Sequence, residues 1–352
     1  MTLPLTMKAV VFDRPYKVSI QDRPVPRVQD DGDIVVKVEA TAICGSDLHV
    51  YRGLERTTSG TIMGHEFTGI VVEVGPKVRT FKIGDKVVSP FTVSCGDCFY
   101  CRNGWTSRCV DCLVFGSERL DGAQAQFVRV PLADSTAFKA PEGISNNALI
   151  LMADVFPTGY FGVKSAMAMS PSVDGSTIVI IGCGPVGLCA IVSALHFRQR
   201  NIFAIDGIES RLKIAENLGA IPLNFKDGLA SMQERVWRVT EGRGADMVVE
   251  VVGKSPALRT AYELVRPFGT ISSIGVHNAE IPWSGAEAYG KNLRVQMGRC
   301  PVRHVFSECL PVLEQVQTQL EFMFDHILPL SSAVEGFAAF DRMEVQKVVL
   351  KP

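Results

Sequence analysis

Net charge is almost absent from this chain. The 36 Lys and Arg residues stand against 37 Asp and Glu, a formal −1 over 352 residues. So even a balance leaves no basic face for nucleic acid or for an anionic membrane surface, and neither is expected as a partner. A long unbroken apolar run is missing too. Thr177 to Leu195 is uncharged, mostly apolar and nearly of transmembrane length. Gly-Cys-Gly-Pro would break such a helix in its middle, and no basic flank orients it. The first residues, MTLPLTMKAVVFDRP, lack the basic region and sustained apolar core of a secretory signal. The closing VVLKP matches no common sorting tag, and there are no low-complexity tracts or obvious repeats. The expected compartment is the cytoplasm. At 352 residues, 47% hydrophobic and 21% charged, the chain should hold about two globular domains.

Ten cysteines are present. A reducing compartment argues against disulfides, and four of the ten fall in one short stretch, which points to metal.

The stretch Ser176 to Asp206 reads as strand, turn, helix and strand. Ser176 to Ile181 is a short β-branched run. Gly182-Cys183-Gly184-Pro185-Val186-Gly187 fits G-x-G-x-x-G, and an apolar helix from Val186 to Phe197 follows it. A second strand, Asn201 to Ile205, ends at Asp206, about 20 residues beyond the glycines. Gly182 allows the tight turn, Gly184 lets a pyrophosphate approach the backbone, and Gly187 lets helix and strand pack closely. Asp206 can accept hydrogen bonds from ribose hydroxyls and would repel a 2′-phosphate. The unit is therefore expected to bind a dinucleotide, NAD rather than NADP.

Upstream, Met7 to Phe12, Ile34 to Ala40, Phe67 to Val74, Asp85 to Ser89 and Gln126 to Val130 read as strands. Pro24, Pro26, Asp30-Asp31-Gly32-Asp33, Gly75-Pro76 and Gly84-Asp85 mark the turns between them. Many short strands with such turns argue for a compact, β-rich, barrel-like domain. Near Leu149 the pattern changes. Ala153 to Met169 reads as helix and Pro171 to Gly175 as a turn. Helices at Ser210–Leu218, Leu229–Thr240 and Ala257–Leu264 then alternate with strands at Ala245–Val252, Thr270–Ile274 and Leu293–Met297. That is an α/β, doubly wound pattern. The tail from Pro301 reads as a helix, Val312 to Phe324, and a last strand, Gln346 to Leu350.

The four clustered thiols are Cys95-x2-Cys98-x2-Cys101-x7-Cys109. Thiolates at this spacing can wrap a tetrahedral Zn²⁺ and fill every coordination position, which makes the site structural. An iron–sulfur cluster is the alternative for four cysteines. Cys112 reads as a spare thiol, and Cys183, Cys189, Cys300 and Cys309 as inert ones.

A second set is scattered: Cys44-Gly45-Ser46-Asp47-Leu48-His49 after one strand and Gly64-His65-Glu66 before another. Alone, Cys44 reads as well as a buried thiol, and His65 as a satisfied loop histidine. The order CGSDLH, GHEFTGIVVEVG, FKIGDKVV, the four-cysteine loop, PTGY, GCGPVG and Asp206 resembles, almost end to end, the zinc-dependent medium-chain dehydrogenase/reductase family of the alcohol dehydrogenase type. The resemblance implies a GroES-like β-rich catalytic domain, residues 1–155 with 299–352 packing back, and a Rossmann NAD-binding domain, residues 156–298. It implies two Zn²⁺ per chain, one catalytic and one structural. Cys44 and His65 match the first two catalytic ligands, and Glu66 the acid beside the metal. The third ligand is often Cys; here the position is Asp154, a variant seen in polyol-, formaldehyde- and some secondary-alcohol-type members. A carboxylate for a thiolate keeps the charge count and hardens the site.

The same resemblance implies reversible hydride transfer between an alcohol (primary, secondary or polyol) and NAD, giving the aldehyde or ketone. Zinc stabilises the alkoxide, and Ser46 and His49 relay its proton to solvent. Thr158, Ile274 and Val276 match residues near the nicotinamide. Arg211 matches a basic residue near the adenine, and Lys347 one near the pyrophosphate, where a plain surface lysine is the alternative. Phe91, Leu113, Phe156 and Trp283 are candidate pocket walls. Arg299, Arg303 and His304 are loop charges available to a polar substrate. A formaldehyde dehydrogenase- or dismutase-like enzyme with tightly held NAD is the competing activity, and a zinc-stabilised NAD-binding protein without turnover the competing class. A homodimer or homotetramer is expected.

Overall fold

The computed structural model describes residues 3–170 and 175–352. The expected turn at Pro171 to Gly175 lies, except for Gly175, outside the described residues. Two compact units emerge, Met1–Asp154 with Pro301–Pro352, and Val155–Cys300.

In the first unit, β1 (Thr6–Arg14) and β2 (Lys17–Pro24) form an antiparallel hairpin. β3 (Ile34–Ile43) leads into the short helix α1 (Gly45–Tyr51). β4 (Glu66–Val74) and β5 (Lys86–Ser89) follow, then α2 (Phe99–Arg102), β6 (Phe127–Val130), α3 (Ala133–Thr136) and β7 (Phe138–Lys139). β3 is the hub of this sheet, pairing with both β4 and β6. In the middle of β3 the apolar Val36 and Val38 are buried while Lys37 and Glu39 face out, the period of 2 that a half-solvated strand requires. The apolar side chains pack with Phe67, Val71, Val87 and Phe115, the two rings edge to face at 5.2 Å.

In the second unit, the long helix α4 (Val155–Met169) precedes β8 (Thr177–Ile181), α5 (Pro185–His196), β9 (Asn201–Asp206), α6 (Glu209–Asn217) and β10 (Ile221–Asn224). Then come α7 (Leu229–Val239), β11 (Ala245–Glu250), α8 (Ser255–Leu264), β12 (Val265–Ser273), α9 (Gly285–Lys291) and β13 (Arg294–Met297). All pairings are parallel, in the order β10-β9-β8-β11-β12-β13. β8 is buried along its whole length, as an all-apolar central strand covered on both faces should be. The strand order reverses at β8, which creates the crevice where such sheets take ligands.

The tail rejoins the first unit through α10 (Val302–Val316), a 3₁₀ segment (Gln317–Phe324), β14 (Ile327–Pro329), α11 (Ala333–Asp341) and β15 (Val348–Lys351). β15 adds antiparallel to β3 on the side away from β4. No helix among the described residues is long and apolar enough to cross a membrane.

Three expectations need correction. β2 lies in a stretch read as a loop before Pro24; its mixed polar sequence, KVSIQDRP, has no clean apolar face. α10 begins at Val302, ten residues before the expected start, and carries Pro311 inside it. Consequently Arg303 and His304 are helical residues, not loop charges.

Candidate active site and metal centres

Strand register assembles the first donor set. Ala42 of β3 lies opposite Glu66 of β4, and Ile43 lies opposite Val348 of β15. Cys44, one step beyond Ile43, is thereby set beside His65 and Glu66 on one side and Lys347 on the other. Asp154 arrives at the end of the 3₁₀ segment Ala148–Ala153, which Phe91 N–H ties down through the Ala153 carbonyl at 3.1 Å. One ligand atom each from Cys44, His65, Glu66 and Asp154 falls within 4.8 Å of the others. Asp154 Oδ2 is 3.6 Å from Cys44 Sγ and 3.4 Å from His65 Nε2.

A buried donor set of this composition fits a divalent cation. Burial pushes the Cys44 thiol up, and the Glu66 and Asp154 charges add to it against the pull of His65. Burial pushes the Glu66 carboxyl up as well, although Lys347 and His65 oppose it. For His65, burial disfavours the charged ring, yet the Asp47 charge and hydrogen bonds with Asp154, Asp47 and Cys44 hold it well above the usual imidazole range. The common cause is an excess of negative charge in a dry place, which a metal ion would relieve by displacing the protons. Glu66 Oε1 is buried with no hydrogen-bond partner among the described residues, a carboxylate oxygen left over for such an ion.

Two neighbours of this set were not foreseen in their present roles. Asp47 Oδ1 lies 3.4 Å from His65 Nδ1, and its Oδ2 accepts from Cys44 N–H at 2.9 Å and Gln124 Nε2 at 3.2 Å. It therefore presents His65 Nε2 to the site, the carboxylate–histidine arrangement that orients metal-binding imidazoles. The signal was there, since Asp47 sits three residues after Cys44 in CGSDLH. Lys347 is fully buried rather than at the surface, and its ammonium meets Glu66 Oε2 at 2.5 Å. Its positive charge is thus spent inside the donor set.

Ser46 Oγ is 3.3 Å from His65 Nε2. His49 lies one turn further along α1, with Nδ1 3.9 Å from Glu55 Oε1. Phe91 packs edge-on against His65, ring centroids 6.0 Å apart. Leu113 packs on the β-unit core, Phe156 is fully buried, and Trp283 stacks on Tyr262 at 5.7 Å.

The second donor set is Cys95, Cys98, Cys101 and Cys109, whose sulfurs also lie within 4.8 Å of one another. A tetrahedral ion with bonds of about 2.3 Å would hold its sulfurs about 3.8 Å apart, so one ion fits. Backbone N–H groups already point at these sulfurs: Cys95 N to Cys109 Sγ at 3.2 Å and Cys98 N to Cys95 Sγ at 3.3 Å. N–H groups of Cys101 and Val110 bring the Cys98 thiol down to about 6, whereas burial pushes Cys109 up to about 12. Arg303 and His304 serve as packing near this loop rather than as charges for a substrate. Arg303 donates to the Ala137 and Asp134 carbonyls and lies over the Phe138 ring, and His304 lies over Gly104, where a Cβ would come within 2.6 Å of its ring.

In the second unit the turn after β8 has room for a ligand where it should. Gly182 has φ +101°, and a Cβ on Gly187 would fall 1.8 Å from the Gly182 carbonyl oxygen. Gly184, by contrast, has nothing within 4 Å of its missing Cβ, so the space above the helix start is open. Pro185 and Val186 form the first turn of α5. Asp206 accepts from Cys183 N–H at 2.8 Å, Gly207 N–H at 2.7 Å and Ile208 N–H at 3.0 Å. Arg211 stands 4.0 Å away, with its Nε unpartnered among the described residues. Thr158 is buried in the first turn of α4. Ile274 N–H donates to the Glu250 carbonyl at 2.9 Å, and Val276 is exposed.

Comparison with known proteins agrees with this architecture. Residues 30–142 match the family model described as alcohol dehydrogenase GroES-like domain, and residues 185–315 the model described as zinc-binding dehydrogenase. A zinc-type alcohol dehydrogenase B of Aspergillus flavus is 57% identical over 98% of this chain and 81% of its own length. A medium chain reductase/dehydrogenase of Acremonium sp is 62% identical over 81% of this chain and 99% of its own length. Among solved structures, an alcohol dehydrogenase from Thermus sp. ATN1 superposes with TM-score 0.91 at 37% identity, covering 98% of this chain and 99% of that one. This chain belongs to the zinc-dependent medium-chain dehydrogenase/reductase family, and it is an oxidoreductase.

Proposed function

We propose that the chain is a zinc- and NAD-dependent alcohol dehydrogenase that reversibly interconverts an alcohol (primary, secondary or polyol) and its aldehyde or ketone. The observation that carries this reading is the buried convergence of Cys44, His65, Glu66 and Asp154. With Glu66 paired to Lys347, the ligands Cys44, His65 and Asp154 leave a tetrahedral ion one open position, which a binding protein without turnover does not need. In this reading Cys44, His65 and Asp154 hold the catalytic zinc, with Glu66 beside it, and Cys95, Cys98, Cys101 and Cys109 hold the structural one. Zinc bound there supplies Lewis acidity to a substrate oxygen, and NAD supplies the hydride acceptor.

The chain's own side chains do the rest. Asp47 fixes the His65 tautomer through Nδ1. Ser46, 3.3 Å from His65 Nε2, takes the substrate hydroxyl proton as it gives its own to the nicotinamide ribose, and the ribose hands a proton on to His49, one helical turn along, and so to solvent. Phe91 keeps water from the His65 edge. Residues 1–155 with 299–352 form the catalytic domain and residues 156–298 the NAD-binding domain. Gly182, Gly184, Pro185, Val186 and Gly187 receive the pyrophosphate at the start of α5. Asp206 and Arg211 take the adenosine end, and Thr158, Ile274 and Val276 the nicotinamide end. We further place the enzyme in the cytoplasm as a homodimer or homotetramer, which sedimentation would test.

Metal analysis and a substrate panel test the proposal together. Two zinc ions per chain are expected, one of them lost in Cys95→Ser, with NADH formation from one or more alcohols. A reproducible single zinc that disappears with Cys95→Ser would leave no catalytic metal and would sink the reading.

A further inference from the structure

We propose that Gln124 is a positioning residue for the catalytic zinc, which it serves by holding Asp47 and, through Asp47, both Cys44 and His65. The inference rests on the reading of the first donor set as a zinc site. Asp47 is the junction of that set. Its Oδ1 faces His65 Nδ1 at 3.4 Å, and its Oδ2 accepts from Cys44 N–H at 2.9 Å. Gln124 supplies a side-chain donor to the same oxygen, Nε2 to Oδ2 at 3.2 Å, and also donates to the Ala42 carbonyl at 3.2 Å. Ala42 lies two residues before Cys44, in β3. The amide therefore ties Asp47 to the strand that delivers the first ligand. Its orientation is set by chemistry, since turning it over would put Oε1 against two acceptors.

Two features separate this from ordinary packing. Gln124 is fully buried, and its Oε1 has no hydrogen-bond partner among the described residues. An unmet buried acceptor destabilises a fold, and an apolar side chain of the same length would not carry one. The side chain is also tightly placed. Gln124 N–H donates to the Met63 carbonyl at 2.8 Å, and its own carbonyl accepts from Val10 N–H at 2.7 Å. A Cβ on Gly64, the residue before His65, would come within 2.4 Å of Gln124 Cγ. The amide stem thus occupies the room a glycine leaves, one residue from the second ligand. The charge of the group matters as well. A lysine here would neutralise Asp47 and weaken its pull on the imidazole, and a carboxylate would repel it. A neutral donor fixes the carboxylate and leaves its charge for His65.

Zinc competition titrations on the full chain test this, with the four-cysteine set as an internal reference. Gln124→Met keeps the length and removes the donor. It should weaken zinc at the first set about tenfold and leave the second set unchanged. The unfolding temperature of the zinc-free chain should hardly move, since two long hydrogen bonds and an unmet oxygen go together. The visible spectrum of Co²⁺ in the first set, which follows ligand geometry, should shift. Gln124→Asn, too short to reach both acceptors, should lose affinity likewise. The deciding comparison is made in Asp47→Asn. There Gln124→Met should cost little more, because the route through Asp47 is already cut. Unchanged first-set affinity in Gln124→Met, or a further loss of the same size in the Asp47→Asn background, would overturn the assignment. So would failure of both Gln124 variants to fold, which would make the residue structural. A wild-type chain that takes up zinc only at the four cysteines would overturn the zinc reading of the first set, and this inference with it.

Discussion

Replacing Lys347 with methionine removes a buried ammonium from its carboxylate partner. The Lys347 and Glu66 side chains are both 0% exposed, and their 2.5 Å contact joins residues 281 positions apart. Methionine fills much of the same volume, so cavity formation is a minor part of the cost. The main part is Glu66, which is left as an uncompensated buried charge or must take up a proton. Breaking a buried ion pair in this way typically costs about 3–5 kcal/mol. For a unit of this size that lowers the unfolding temperature by about 6–20 °C. The assay is thermal unfolding of the purified chain, followed with and without chelator. The penalty should be smaller in the zinc-loaded protein, where the metal offers Glu66 another cation. A double variant, Lys347→Met with Glu66→Leu, should recover most of the loss, because an apolar pair of similar volume often matches a buried ion pair. A single variant that loses less than about 1 kcal/mol, the range of a solvent-exposed pair, would mean that water reaches Glu66, and the electrostatic account of the site would be wrong.

The glycine turn gives a paired test. Gly184→Ala should leave the unfolding temperature unchanged and abolish cofactor binding in calorimetry, whereas Gly187→Ala should lower both, since its Cβ meets a carbonyl at 1.8 Å. Asp206 predicts NAD turnover exceeding NADP turnover by orders of magnitude, with Asp206→Ala narrowing the gap; equal wild-type rates would show that the carboxylate is misassigned. Zinc affinity of the first donor set should fall with falling pH. Burial pushes the Cys44 thiol up, so it carries a proton in the empty site that zinc must displace, and affinity is gained as pH rises toward the raised Cys44 value. Titrations in two buffers of different ionisation enthalpy would reveal the released protons, and a pH-independent affinity would contradict the argument.

What could be read from the sequence was what is local in the chain. The glycine turn, the alternating helices and strands and the four-cysteine spacing each fit within a few tens of residues, and each has its own steric or coordination logic. Cys44 and His65 gained meaning only from the order of several motifs together. The position of Lys347 could not be read, because its partner lies 281 residues away and only the β15–β3–β4 register joins them. The same limit hid the roles of Arg303 and His304. Their charges suggested a substrate, but helix α10 turns them onto Phe138 and Gly104. β2 escaped because its side chains lack a clean alternation, and its pairing with β1 comes from tertiary context.

The chain order of the first donor set has a consequence for biosynthesis. Cys44, His65 and Asp154 leave the ribosome before any of the second unit exists, and Lys347 leaves after all of it. Until β15 docks, β3 lacks its neighbour on that side and Glu66 lacks its counter-charge. Closing that gap across a disordered segment would carry a loop-closure penalty that grows with its length, and an already folded insert shortens the effective loop. The donor set is thus synthesised early, and its counter-charge is the last piece to arrive.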